Sequence, residues 1–207
     1  MGIDVKFVRV DQRKLKQLLD GEIECDSLEP SIRSLPRDQN GQVEAIARLA
    51  YKYANGSEWS NVAEEATKMK VSESDLKQAV RKYGLHFCLD TSREWNELHK
   101  LLTGEYALDR VKLRKESGDI FSTAIIAGRT VDGDSPSFGD FGECYLTHEQ
   151  VQEIAAKLKP LTYENLSTKN KVETGVGEEN MRELFDSFKA FFVDAASEKE
   201  AVIRQSG

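Results

Sequence analysis

Two side chains that could take part in chemistry lie on one predicted helix. Trp95 and His99 are four residues apart, so both lie on the same helix face. A histidine can act as a general base or bind a ligand, and an aromatic ring often forms the wall of a ligand pocket. Asp140 lies in a glycine-rich segment, 133–142, and Tyr145 follows it, so these four are the candidate binding residues. The commoner alternative is a partly buried histidine that satisfies a backbone group.

Soft metal ligands form the second candidate set. His86 and Cys88 alternate on a predicted strand, and Cys144 on another predicted strand could add a third ligand. No fourth ligand has a characteristic spacing, and buried cysteines usually pack as small hydrophobes. We therefore expect no metal and no cofactor.

Common catalytic motifs are absent from the sequence. It contains no G-x-x-x-x-G-K-[ST], no G-x-S-x-G and no H-E-x-x-H. A role other than catalysis is therefore favoured, with an enzyme as the alternative.

The helix that carries Trp95 and His99 has recognisable ends. Thr91-Ser92-Arg93-Glu94 has the pattern of a capping box, and Gly104 is a typical helix stop, so a helix is expected to run to Thr103. A buried strand is predicted just before it, over 85–89.

The other elements predict an α+β fold with a predominantly helical body packed around a small sheet. Alternating apolar residues predict a first strand within 2–10, and 201–203 is expected to pair beside it. Apolar residues at helical spacing predict the longest helix over 178–196. We expect one domain over 1–207, with 41–84 as a helical insertion. Further helices are predicted over 14–19, 42–54, 62–69, 76–83, 121–127 and 147–158.

Composition limits the classes of partner. The 207 residues include 36 acidic and 29 basic side chains, for a net charge of −7. This charge repels nucleic acid and permits a basic protein partner. The three cysteines, the absence of a long apolar segment and the charged start of the chain predict a cytoplasmic protein that does not enter a membrane.

One segment resembles a known family. Residues 89–104 read LDTSREWNELHKLLTG and resemble the Leu-Asp…Trp…Leu-His-x-Leu-Leu-Thr-Gly signature of the YfbM-like family of bacterial proteins of unknown function. The start of the chain, Ala124–Gly128 and Cys144–Val151 also agree with that family. This sequence departs from the family pattern in two places. It has two extra residues before Trp95, and residues 139–143 stand where the family has Gly-Pro-Ala-Arg. The resemblance implies an α+β fold and a bacterial cytoplasmic setting, but no reaction.

Two functional hypotheses follow. The first is a non-enzymatic protein that binds another macromolecule, as an immunity or accessory factor would, through its acidic surface. The alternative is a small-molecule-binding protein or hydrolytic enzyme with a pocket near Trp95 and His99.

Overall fold

A computed structural model describes residues 4–25, 42–54, 58–83, 88–91, 93–107, 119–126, 129–131, 143–170 and 177–206. The strands are β1 (Val5–Val10), β2 (Cys88–Asp90), β3 (Arg129–Thr130), β4 (Cys144–Leu146) and β5 (Ala201–Ser206). The helices are α1 (Gln12–Leu19), α2 (Gln42–Ala54), α3 (Trp59–Lys68), α4 (Glu73–Tyr83), α5 (Trp95–Thr103), α6 (Ile120–Ile126), α7 (His148–Leu158), α8 (Tyr163–Asn170) and α9 (Glu178–Ser197). The fold is α+β, as predicted.

The described strands form one sheet in the order β2-β1-β5-β4-β3. Strand β5 is antiparallel to both β1 and β4, and Phe7 lies opposite Arg204 in the register. The sequence prediction that 201–203 pairs beside the first strand is confirmed. Since side chains alternate along a strand, Val5, Phe7 and Val202 lie on one face and enter the main core.

Helix α9 supplies most of the aromatic side chains of this core. Phe185, Phe188 and Phe192 recur at helical spacing, and none of the three is exposed to solvent. The ring of Phe188 contacts that of Phe7 edge to face, with 5.7 Å between the ring centroids. The predicted apolar stripe of residues 178–196 is thus the face that packs against the sheet.

Residues 29–88 form a compact unit, and residues 1–28 with 89–207 form another. In the smaller unit, helices α2, α3 and α4 share a core that includes Leu49, Val62 and Leu76. The predicted pair Ser72 and Asp75 caps α4, because the Asp75 amide donates to the Ser72 hydroxyl at 3.0 Å. The helices expected within 41–84 are therefore present. Their role as an insertion stays a prediction.

The predicted start of α5 was wrong. Thr91 does not cap this helix, since its hydroxyl donates to the backbone carbonyl of Val5 at 2.7 Å. The N-cap residue is Glu94, and its side chain makes no capping hydrogen bond. The buried strand carbonyl offers a partner within reach, and a buried hydroxyl must be satisfied. The other predicted capping box is confirmed, because Thr147 and Gln150 bond to each other's backbone at the start of α7.

Among the described residues, no helix is both long enough and apolar enough to cross a bilayer.

Gly104 ends α5 in a left-handed conformation, with a φ of 89°. A Cβ at this position would lie 3.3 Å from Oδ1 of Asn170, whose amide donates to the Leu101 carbonyl. We expect Gly104→Ala to lower the free energy of unfolding by about 2 kcal/mol. Gly21→Ala is the control, because Gly21 has a φ of 72° but no atom within 4 Å of the point that a Cβ would occupy. It should cost about 1 kcal/mol. Equal losses in urea denaturation would show that the contact with Asn170 costs nothing.

Arg9 and Glu200 form an ion pair at the end of the sheet. The guanidinium of Arg9 is 2% exposed, and its Nε donates to Glu200 Oε2 at 2.6 Å. Glu200→Ala removes this carboxylate from a buried cation, so we expect a loss of about 2–3 kcal/mol in the free energy of unfolding. Glu198→Ala, at an exposed neighbouring position, should change it by less than about 0.5 kcal/mol. Similar losses in both variants would contradict a specific role for the pair.

Burial raises the pKa of Glu200, although the Arg9 guanidinium opposes this. Folding therefore favours the protonated carboxyl. The resulting stabilisation is complete below the unfolded-state pKa and is lost as the pH rises through the folded-state pKa. Wild type should consequently gain stability relative to Glu200→Gln as the pH falls from 7, measured by urea denaturation across that range. A constant difference between the two proteins would contradict this titration.

Candidate functional site

A polar cavity of about 340 Å³ lies beside α5 and α6. Its walls come from α5, α6, α8 and the turn after α5. The described part of these walls combines two hydroxyl groups, two carboxylates, one imidazole and one ammonium with two apolar side chains. The described residues that line the cavity are His99, Leu102, Thr103, Glu105, Asp119, Phe121, Ser122 and Lys169.

Local structure positions the polar groups of this cavity. His99 lies on α5, and the turn at Gly104 brings the chain back so that the carbonyl of Glu105 faces the imidazole. Asp119 precedes α6 and accepts the backbone N–H of Ser122 at 2.8 Å, which caps the first turn of that helix. The same cap holds the Ser122 hydroxyl beside the imidazole.

The buried polar groups form a continuous chain of hydrogen bonds. Nδ1 of His99 is 2.7 Å from the carbonyl oxygen of Glu105, and Nε2 is 2.9 Å from Oγ of Ser122. Oγ of Ser122 in turn donates to Oδ2 of Asp119 at 2.7 Å. His99 and Ser122 are only 1% and 2% exposed, respectively, so little water competes for these bonds.

The direction of donation along this chain depends on the protonation of His99. The Glu105 carbonyl can only accept, so Nδ1 of His99 carries a hydrogen. The Ser122 hydroxyl has a single hydrogen, which it can give either to Asp119 or to Nε2 of His99. If Ser122 donates to Asp119, Nε2 also carries a hydrogen and His99 is an imidazolium; if Ser122 donates to Nε2, the imidazole is neutral.

The direction of these hydrogen bonds decides whether Ser122 could act as a nucleophile. A serine nucleophile needs a base that takes its hydrogen, and in serine hydrolases that base is a neutral imidazole. Here Oδ2 of Asp119 lies 2.7 Å from the Ser122 hydroxyl and competes with the imidazole for its hydrogen. The arrangement is that of a rigid polar wall.

The predicted binding residues are only partly brought together. His99 lines the cavity, with one nitrogen on a backbone group, as the alternative interpretation predicts. Trp95 is 3% exposed in the apolar core and is not among the cavity residues. Tyr145 is half-buried on β4, also away from the cavity lining, and Asp140 lies outside the described residues.

The soft-ligand set does not form a site in the described part of the chain. Strands β2 and β4, which carry Cys88 and Cys144, are separated by β1 and β5, roughly 14 Å at ordinary strand spacing. The Cys144 thiol accepts from the buried guanidinium of Arg204 at 3.1 Å. No group of three potential metal ligands occurs among the described residues, and His86 lies outside them.

Comparison with known proteins identifies the family. Residues 1–204 match the family model described as "Domain of unknown function (DUF1877)". The chain belongs to this family. The YfbM-like resemblance predicted from residues 89–104 is confirmed. A solved structure, that of a protein of unknown function, YfbM from Escherichia coli, has 16% sequence identity and a TM-score of 0.44, covering 97% of this chain and 98% of that chain. No curated protein matches the sequence.

Sequence reasoning missed most of the cavity. Ser122 and Asp119 were not among the candidates, although an Asp three residues before a Ser at the start of an apolar helix is a recognisable cap pattern. That pattern indicates a helix start and gives no sign of a histidine partner 23 residues away. Thr103, Glu105 and Lys169 had no signal of their own in the sequence.

Proposed function

We propose that this protein binds a small polar molecule in the cavity beside His99. The observation that carries the proposal is the buried chain of His99, Ser122 and Asp119, which borders an open space of about 340 Å³. That volume is at the lower end of the range of ligand pockets, about 300–1,000 Å³, so a small ligand fits best.

Preorganisation supports binding in this cavity. Each link of the chain is 2.9 Å or shorter, and the groups come from two helices and a fixed turn. Side chains locked in this way lose little conformational entropy when a ligand arrives. A binding role without hydrolysis is favoured because Asp119, at 2.7 Å, competes with the imidazole for the Ser122 hydrogen.

The test is a fragment screen with a blocked variant. Lys169 is exposed on α8 and lines the cavity, so Lys169→Trp should obstruct the space without disturbing the core. Lys159→Trp places the same ring on an exposed residue outside the lining and serves as the control. Ligand-observed NMR should find fragments that bind wild type and Lys159→Trp but not Lys169→Trp. A diverse set without one such fragment would contradict the proposal.

The charge distribution supports a second candidate function, in which this protein binds a basic macromolecule as an immunity or accessory factor would. Residues 29–88 hold eight of the 36 acidic and nine of the 29 basic side chains, so the acidic excess lies in the other unit. Exposed acidic residues of α9 in that unit include Glu179, Glu183 and Asp186.

Replacing these three by Gln, Gln and Asn should weaken binding of a lysine-rich peptide at low salt, measured by fluorescence anisotropy. The control neutralises Glu64 and Glu73, which are exposed in the smaller unit. Equal affinity in the two variants would count against an acidic surface on α9.

A further inference from the structure

We infer that helices α3 and α4 form a helix-turn-helix that binds double-stranded DNA, with α4 as the helix that enters the major groove. The inference concerns the smaller unit, residues 29–88, and is independent of the cavity beside His99. It depends on the turn between the two helices, on the packing around that turn and on the side chains that α4 exposes.

The turn between α3 and α4 is four residues long. Lys70 in this turn adopts a left-handed conformation, with a φ of 58°. Its N–H donates to the Thr67 carbonyl at 3.0 Å, and the Val71 N–H donates to the Ala66 carbonyl at 2.9 Å. These two bonds are the Schellman pattern of a helix end, and Ser72 directly after them caps α4. One helix therefore ends and the next begins within the length of turn that a helix-turn-helix has.

The packing of the smaller unit also fits this motif. Helix α4 packs mainly against α2 and less against α3, its neighbour in the chain. Two helices that are joined by a short turn but do not lie along each other cross at a large angle, as in a helix-turn-helix. Ala66 before the turn, Val71 within it and Leu76 of α4 are all buried in the shared core. The core therefore holds α4 in a fixed orientation after α3.

Helix α4 exposes polar side chains that suit a DNA groove. Ser74 and Lys77 are exposed, whereas Leu76 enters the core. Gln78 and Arg81 follow Ser74 and Lys77 in the sequence at a spacing of four, which is the repeat of one helix face. Serine, glutamine, lysine and arginine are the side-chain types that bond to base edges and to phosphates in DNA complexes.

The charge of the smaller unit permits this partner. The net charge of the whole chain predicts no nucleic acid, but residues 29–88 hold nine basic and eight acidic side chains, so this unit is not acidic. In the first turn of α4, Asp75 accepts the Ser72 hydroxyl at 2.6 Å and Glu73 pairs with Lys77 at 2.8 Å. Exposed ion pairs of this kind contribute little to stability, so a phosphate can replace Glu73 as the partner of Lys77.

The probe is a labelled pool of random-sequence DNA duplexes of about 20 base pairs, with binding followed by fluorescence anisotropy at low salt. We expect the full chain to bind duplexes at least about tenfold more tightly than single strands of the same length, because only the duplex has a major groove for α4. Repeated selection from the pool should enrich a defined sequence. Ser74→Ala should relax that preference without changing the salt dependence of binding.

Lys70→Gly separates DNA binding from folding. Glycine adopts a left-handed conformation at lower cost than lysine, so stability in urea denaturation should not fall. The lost cation should nevertheless weaken duplex binding about threefold or more, and should reduce the slope of log affinity against log salt concentration by about 0.9. Lys77→Ala should have the same effect on binding. Lys52→Ala is the matched control, since Lys52 is exposed on α2 and pairs with Glu65 at 2.8 Å, and it should change neither quantity.

Four results would overturn the inference. The first is a lack of duplex binding at low salt, and the second is equal binding of duplexes and single strands. Equal losses in Lys52→Ala and Lys77→Ala would mean that net charge, and not α4, determines binding. Binding of a polyglutamate peptide through Lys70 and Lys77, without binding of duplexes, would make α3 and α4 a site for an acidic protein.

Discussion

Phe188→Ala is expected to lower the free energy of unfolding by about 4 kcal/mol. Phe188 is fully buried at the centre of α9, and its ring lies 4.7 Å from that of Phe192 and 5.7 Å from that of Phe7, centroid to centroid. The substitution removes the apolar side chain from the core and leaves a space that neighbours on both the helix and the sheet cannot fill. It also removes the edge-to-face contact that joins α9 to β1.

Urea denaturation followed by circular dichroism measures this loss. Asp186→Ala on the exposed face of the same helix is the control, and it should change stability by less than about 0.5 kcal/mol. A loss below about 2 kcal/mol for Phe188→Ala would mean that the core around α9 can collapse into the space.

Helix α9 also shows why much of the fold could be predicted. Its apolar residues recur with helical spacing over five turns, and the same stripe is buried in the structure. Strand β1 alternates in the same clear way, with Val5 and Phe7 turned to one face. Local patterns of this kind depend on neighbouring residues alone, which the sequence displays directly.

Other elements depend on distant contacts and were missed. Helix α8 (YENLSTKN) has two apolar positions, Tyr163 and Leu166, and both are buried against the main core. Eight residues with so short a stripe form a marginal helix unless tertiary packing stabilises it. Thr91 is a related case, because its bond to the Val5 carbonyl spans 86 residues and prevails over the local capping pattern.

The candidate site was predictable only at His99. Spacing places Trp95 and His99 on one helix face, but a face is wide enough for Trp95 to enter the apolar core while His99 reaches a polar cavity. The partners of His99 come from the next turn and from α6, and only the fold brings these segments together. The sequence therefore predicts His99 as a site residue but does not predict the residues that bond to it.

His99→Leu is expected to lower the free energy of unfolding by about 3 kcal/mol. Leucine has a similar volume, so the loss comes from polar groups rather than from an empty space. The Glu105 carbonyl loses its 2.7 Å bond and keeps the longer bond from Thr103, at 3.1 Å. Ser122 loses its nitrogen partner at 2.9 Å. A buried polar group left without a partner costs about 1–3 kcal/mol.

His148→Leu is the matched control. The His148 side chain is 21% exposed, and its Nε2 has no hydrogen bond in the described structure, so this substitution should cost less than about 0.5 kcal/mol. Equal losses in the two variants would show that the bonds of His99 contribute little to stability.

The charge of His99 can be measured directly, by ¹⁵N chemical shifts of the imidazole at neutral pH. We expect Ser122 to donate to Asp119, in which case both ring nitrogens donate and should show the shifts of protonated nitrogen. An unprotonated nitrogen in wild-type His99 would mean that Ser122 donates to the imidazole, which would then be available as a base for Ser122 and would favour hydrolysis over simple binding.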